Sequence, residues 1–459
     1  MVTPAIVIAA PSSGSGKTVV ATGLMAALRR AGHRVAPFKV GPDYIDPGYH
    51  TLAAGRPGRN LDPVLVGEDL VGPLYAHGSA GADVAVVEGV MGLFDGKVGA
   101  DGFGSTAHVA GLLGAPVVLV VDTRGHSSSI AALLHGFRTW RPSSSPPVRL
   151  AGVILNQVGS DRHETVLRDA CEDVGLDVLG VLRRNAAVEV PSRHLGLVTA
   201  AEHGPAAVRA VEAMAELVTH GVDLAAIVHL AQTSRDFPPW EADIAAVPGR
   251  PVVAVAGGPA FTFGYAEHVE LLRAAGADVA VVDPLRDTAL PVGTAGIVLP
   301  GGFPEQYAAD LSANAALRAA VAAAGVPVHA ECAGMLYLTR SLDGHPMCGV
   351  LPADAAMTGK LTLGYRDVVA PHDSVLHPAG TRSTGHEFHR TTVTPAHGER
   401  PAWRWHGGAD GYAGPLVHAS YVHTHPAASP ASVARFVSRC ATRSSSTANA
   451  TPIATHNTA

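Results

Sequence analysis

The chain has 459 residues, too many for one ordinary core, so two or three domains are expected. Hydrophobic residues at 47% and charged residues at 16% exclude a disordered chain, and a net charge of −6 excludes a general electrostatic grip on nucleic acid. No stretch has the length and apolar purity of a membrane span, and Met1–Ala10 lacks the basic start of a signal peptide.

In chain order, apolar runs at Ala5–Ala10, Arg34–Lys39, Ala82–Glu88, Ala115–Asp122 and Leu150–Asn156 read as strands. Helical patterns at Thr18–Ala31 and Ser105–Leu113 fall between them, and Pro205–His220 closes this half. Such alternation predicts a mostly parallel sheet covered on both faces. Gln232–Gly249, with three prolines and mixed charge, reads as the connection between domains. A second alternation follows: strand Val252–Ala256, helix Gly264–Ala275, strands Asp278–Val282 and Gly296–Pro300, helix Ala315–Ala324 and strand Val326–Ala330. The expected organisation is a domain over 1–230, a linker over 231–249, a second domain over 250–440 and a disordered polar tail over 441–459. Cys171, Cys332, Cys348 and Cys440 match no zinc or disulfide framework, which fits a reducing cytoplasm.

Ala5–Thr18 reads AIVIAAPSSGSGKT, a strand, a Gly/Ser loop and a helix start. Ser13, Gly14, Ser15 and Gly16 let backbone N–H groups face an anion, Lys17 reaches the outer phosphates of ATP, and Thr18 can hold Mg²⁺. The loop is a variant, because Pro11 stands where the full pattern has glycine. The chain has only four lysines against twenty-nine arginines. Lys17 and Lys39 therefore stand where a compact charge is needed and a planar guanidinium would not serve. Asp43, Asp46 and Glu88 lie at predicted strand ends, where carboxylates suit Mg²⁺ beside phosphate. A partition-type ATPase is disfavoured, since its signature lysine position is Ser12.

Val326–Leu338 reads VPVHAECAGMLYL, a strand ending at a cysteine before a helix. This is the pattern of a nucleophile elbow with Cys332 at its tip. Ala333 and the glycines Gly301 and Gly302 of PGGFPE are candidate oxyanion donors. His423, in ASYVHTH, is the candidate base, with His386 and His389 of GHEFH as rivals.

Taken together these motifs resemble the cobyrinic/hydrogenobyrinic acid a,c-diamide synthase family. The likeness runs through APSSGSGKT, FKVGPDYIDPGYH, NLDP, VVEGVMGLFDG, GSTA, GVILNQVGSDRH, PSRHLGLV, LPGGFPE, HAECAGMLYL, GHEFH and ASYVHTH. It implies an α/β chain: a P-loop NTPase-like domain similar to dethiobiotin synthetase, then a flavodoxin-like class I glutamine amidotransferase domain. It implies Cys332 as nucleophile and His423 as its activator. ATP would be held by residues 13–18 and Lys39, with Asn156 reading adenine, and Mg²⁺ by Thr18, Asp43, Asp46 and Glu88. Glutamine, ATP and a corrinoid polycarboxylate are the implied substrates, with no nucleic acid or membrane partner, and a homodimer is compatible with the family. Ammonia freed from glutamine should stay inside the protein, since free ammonia would be protonated in water.

Two departures stand out. Many class I amidotransferases have Glu two residues after the active His, where this chain has His425, so the group that orients His423 is open. The second domain also begins Gly257-Gly258-Pro259 in place of the charged pair of many relatives. Whether the corrin carries cobalt is open too, with the metal-free substrate favoured. Cobyric acid synthase, a nickel-sirohydrochlorin a,c-diamide synthase and a nucleotide-binding regulator with a degenerate glutaminase are the competing readings.

Overall fold

Segments such as AIVIA and VAVVE show no polar alternation, so both of their faces need cover. In the computed structural model, which describes residues 2–143, 146–184, 192–193, 196–197, 200–231 and 235–448, they form the middle of a seven-stranded parallel sheet. The strands are β1 (Ala5–Ala9), β2 (Val35–Val40), β3 (Arg59–Leu61), β4 (Val84–Glu88), β5 (Val117–Asp122), β6 (Leu150–Val158) and β7 (Val178–Arg183). Their spatial order is β3-β2-β4-β1-β5-β6-β7. The chain runs from β1 to one side, returns to β4 and crosses to β5. The order thus reverses at β1, the place where open α/β sheets gather ligands at their carboxyl ends.

Helix α1 (Lys17–Arg30) leaves the loop after β1, and α2 (Asp46–Ala54) leaves the loop after β2. Helix α3 (Ala200–Gly221), kinked at Gly204, packs against α1. The approach is close: a Cβ on Gly23 would lie 2.5 Å from the Met214 carbonyl oxygen and 2.7 Å from Val218 Cγ2.

The chain divides into two compact units after Glu241. The predicted linker is divided as well. Gly72 lies against the Phe237 ring, and the Trp240 N–H donates to the Pro73 carbonyl at 2.9 Å, within the first unit. Val247 N–H donates to the Ala275 carbonyl at 2.8 Å, within the second. Residues 232–234, and positions 191, 194, 195 and 198 of the PSRHLGLV motif, lie outside the described residues.

The second unit contains β8 (Val252–Ala256), β9 (Asp278–Val282), β10 (Thr294–Leu299) and β11 (Val328–Glu331). These four lie in the parallel order β9-β8-β10-β11, with a later parallel strand beside β11 and an antiparallel strand beyond it. A separate antiparallel pair, β12 (Asp354–Val369) and β13 (Arg382–Thr394), was not anticipated from the sequence. The chain then returns as β14 (Val417–Ser420) beside β11, and β15 (His423–Thr424) pairs with β13. Helices α4 (Ala266–Ala274), α5 (Ala315–Ala323) and α6 (Ala333–Leu338) follow β8, β10 and β11.

The expectation of a disordered tail needs correction. Helix α7 runs over Pro430–Ala448, so 441–448 is helical, while 449–459 lies outside the described residues. The helix persists because Phe436, Val437 and Cys440 are buried, with Cys440 Sγ 2.3 Å from where a Cβ on Gly296 would be. Among the described residues no helix is long and apolar enough to cross a membrane.

Gly23→Ala should destabilise the first unit by about 1–3 kcal/mol, because backbone on α3 cannot yield as a flexible side chain would. Urea denaturation followed by circular dichroism checks this, and an unchanged midpoint would contradict the packing described.

Candidate functional site

The loop between β1 and α1 is shaped by Gly14 (φ 80°) and Gly16 (φ 94°), both in a region that L side chains avoid. Gly16 has a second constraint, since a Cβ there would sit 2.3 Å from Asn156 Nδ2. Asn156, near the end of β6, donates through Nδ2 to the Ser15 carbonyl at 3.0 Å and accepts from Gln157 N–H at 2.9 Å. It therefore braces the phosphate loop. One bond on each side does not exhaust an amide, which has two donors and two acceptor lone pairs. A cavity of about 100 Å³ beside the loop is lined by Gly14, Gly16, Asp122, Arg124, Asn156 and Arg183, among others.

Thr18, Lys39, Asp46 and Glu88 converge at the carboxyl ends of β1, β2 and β4. Thr18 Oγ1 donates to Glu88 Oε1 at 2.6 Å and lies 3.3 Å from Asp46 Oδ2. Lys39 Nζ donates to Asp46 Oδ2 at 2.5 Å, to Glu88 Oε1 at 2.9 Å and to the Gly89 carbonyl at 3.2 Å. Asp43 is farther, 3.8 Å from Lys39. Its Oδ1 accepts from Ile45 and Asp46 N–H at 2.8 and 3.1 Å, so it mainly starts α2.

Burial shapes the charges of this cluster. It lowers the pKa of Lys17, with Lys39 adding to the effect. It also opposes the charge on Lys39, but Asp46, Glu88 and Asp43 outweigh it and raise that pKa. Asp46 is pushed well above the usual carboxylate range by burial and by the charges of Asp43 and Glu88. Glu88 is held down: burial opposes ionisation, but Lys39 and the hydrogen bond to His50 prevail.

Hard oxygens from Thr18, Asp46 and Glu88 fit Mg²⁺, and the Lys39 ammonium already stands among them as a cation. Among the described residues no set of three or more His, Cys, Asp or Glu forms a metal cage of its own.

In the second unit Cys332 ends β11 at φ 47° and ψ −104°. A non-glycine residue held there carries about 1–3 kcal/mol of backbone strain. The next turn must be small, because a Cβ on Gly334 would lie 2.0 Å from the Leu299 carbonyl oxygen. Burial raises the Cys332 thiol pKa, and the Glu305 charge adds to this. Backbone hydrogen bonds from Ala333 and Gly302 act in the other direction, so both N–H groups face the sulfur. Those are two of the three expected oxyanion donors. Gly301 has another role: a Cβ there would meet His423 Cε1 at 2.3 Å, so its bareness admits the imidazole.

His423 is fully buried at the start of β15, with Nδ1 3.5 Å from Glu331 Oε2. His386 is its cross-strand neighbour on β13, kept neutral by burial with a pKa pushed down to about 3. His389 stacks on Tyr421 at 3.7 Å between centroids, away from a base's role.

Two residues of these sites escaped sequence reasoning. His50, buried on α2, has Nε2 2.6 Å from Glu88 Oε2; it sat inside a quoted motif but carried no separate signal. Glu331 directly precedes the cysteine, yet its partners lie over ninety positions later.

Comparison with known proteins agrees with both halves. Residues 6–198 match the CobQ/CobB/MinD/ParA nucleotide binding domain, and residues 252–431 match the CobB/CobQ-like glutamine amidotransferase domain. The hydrogenobyrinate a,c-diamide synthase of Mycobacterium tuberculosis (strain ATCC 25618 / H37Rv) is 60% identical, over 95% of this chain and 98% of its own. That of Streptomyces coelicolor is 57% identical over 96% and 98%. The cobyrinate a,c-diamide synthase of Gloeobacter violaceus is 42% identical over 95% and 97%.

Gly16→Ala should weaken ATP binding at least about tenfold, or ~1.4 kcal/mol, since the new methyl must displace Asn156 and accept an unfavourable φ. Titration calorimetry with ATP measures this, and an unchanged affinity would show the loop is not the nucleotide cradle.

Proposed function

The chain belongs to the hydrogenobyrinate/cobyrinate a,c-diamide synthase family, and from that premise we propose how its residues divide the reaction. It is an ATP-using ligase with glutamine as amido donor, amidating the a and c carboxylates of a corrinoid. The observation that carries the residue assignment is the strained Cys332, with two backbone N–H groups facing its sulfur, in one chain with the Lys17–Lys39–Glu88 cluster.

In the glutaminase half, Cys332 loses its proton to His423 and its thiolate attacks the side-chain amide carbon of glutamine. The developing oxyanion is received by the N–H groups of Ala333 and Gly302. The C–N bond breaks, His423 returns the proton to the leaving ammonia, and water cleaves the thioester to glutamate. Burial that disfavours a resting thiolate means the charge develops as substrate arrives.

In the synthetase half, a corrinoid carboxylate attacks the γ-phosphorus of ATP. An acyl phosphate forms and ADP leaves. Ammonia then attacks the acyl carbon, and inorganic phosphate departs with the C–O electrons. Lys17 and Lys39 stabilise the charge on the transferring phosphoryl oxygens. Thr18, Asp46 and Glu88 are the residues that would hold Mg²⁺, which supplies charge neutralisation of the phosphates. Coordination would also make ionised Asp46 easier to keep, since a divalent ion reverses the local cost of negative charge.

The metal-free substrate is the preferred reading. The actinobacterial relatives named for hydrogenobyrinate are 57–60% identical, against 42% for the cyanobacterial relative named for cobyrinate. Turnover of hydrogenobyrinate with little turnover of cobyrinate, followed by mass spectrometry of the diamides, supports it; the reverse preference overturns it.

Cys332→Ala should reduce glutamine-driven amidation about 1,000-fold or more while ammonium-driven amidation continues. Lys17→Ala should abolish both. Glutamine-driven turnover in the first variant, or ammonium-driven turnover in the second, would overturn the corresponding assignment. Chelation with excess EDTA should stop both nitrogen sources and leave glutamine hydrolysis by Cys332 measurable as glutamate release.

A further inference from the structure

A histidine that shuttles a proton needs its second nitrogen held, because the ring otherwise rotates and the imidazolium lacks a counter-charge. The position that other class I enzymes give to that acid holds His425 in this chain. His425 is not a substitute. Its Nδ1 accepts from Ala427 N–H at 3.3 Å, capping the short turn at Pro426–Ala428, and its ring lies 4.2 Å from that of Tyr265.

The geometry points to Glu331 as the positioning residue of His423, an acid supplied from the nucleophile's own strand. This rests on the glutaminase reading of Cys332 and His423. The register of β11 and β14 pairs Glu331 with Ser420, three residues before His423. Glu331 Oε2 is 3.5 Å from His423 Nδ1. That is an ion-pair separation longer than a good hydrogen bond, as catalytic contacts often are before substrate arrives.

The carboxylate is itself fixed. Oε1 accepts from Thr424 N–H at 3.2 Å and Thr424 Oγ1 at 3.3 Å, and His329 Nε2 approaches it at 3.4 Å. Burial opposes its charge, but the neighbouring His329 and His423 rings hold Glu331 well below the usual carboxylate range. Thr424 is the residue after His423, so one carboxylate grips both the imidazole and the backbone beside it. With Nδ1 on the Glu331 side, Nε2 is the nitrogen left to exchange protons with Cys332. Glu331 touches neither glutamine nor sulfur in this role.

Glu331→Gln preserves shape and the acceptor for Thr424 but removes the charge. It should lower kcat for glutamine-driven amidation about 100-fold with the glutamine KM within about threefold, and leave ammonium-driven turnover unchanged. Glu331→Asp, which keeps the charge at shorter reach, should recover at least about tenfold of that loss. A Gln variant within about threefold of parental kcat overturns the proposal. So does an equal loss in both variants accompanied by a matching rise in KM, the mark of a merely structural role. Should Glu331→Gln fail to fold, Glu331→Asp decides alone: a kcat reduced at least about fivefold at parental KM supports the proposal, and a parental kcat overturns it. Cys332→Ala is run in parallel; if it keeps glutamine-driven turnover, the glutaminase reading fails, whereas its loss beside an unaffected Gln variant condemns Glu331 alone.

Discussion

A parallel strand in the middle of a sheet must stop where its neighbours stop, and the chain must then turn sharply into a helix. At that turn backbone N–H groups lose their ladder partners and point outward together. Both units of this protein are built on that constraint. After β1 the turn is opened by glycines at positive φ and forms a cradle for phosphate. After β11 the turn is tightened onto a cysteine at positive φ, and the Ala333 N–H of that turn faces the sulfur together with the Gly302 N–H from the loop after β10. One backbone device thus serves two chemistries, and the side chains at neighbouring strand ends decide which.

The neighbours differ in charge accordingly. Around the first turn the ends of β2 and β4 and the starts of α1 and α2 bring two lysines and several carboxylates into a buried cluster. Buried charges at this density are stable where they are paired, as Lys39 is with Asp46 and Glu88, and removing one partner would strand the others away from water. Around the second turn burial keeps His386, the cross-strand neighbour of His423, neutral. A cluster prepared for a polyanion and its counter-ion is dense in charge, whereas a pocket prepared for a neutral amide is not.

Much of this was legible in the sequence because the relevant residues are local. The phosphate loop is contiguous, and the strand–cysteine–helix pattern is contiguous. Lys39 and Glu88 could be placed because each ends an apolar run. What could not be read depends on which strands lie side by side. Glu331 meets His423 only because β14 returns beside β11 after the long excursion through β12 and β13. Asp43 read as a metal ligand from its place at a strand end; its carboxylate also bonds the two N–H groups at the start of α2. The tail from residue 441 read as disordered because polar residues dominate it, while the helix that carries the chain to Ala448 is anchored just upstream by the buried Phe436, Val437 and Cys440. Asn156 was expected to read a base; its side chain also secures the loop it would read beside.

That last helix bears on how the protein can be handled. The amidotransferase match stops at residue 431, just as α7 begins. A fragment trimmed at that boundary would strip the cover from Gly296 and from the apolar faces of β8 and β10, leaving a sticky wall where Phe436 and Cys440 had been. Excised glutaminase pieces should therefore retain the chain through Ala448, and fusion partners belong beyond it.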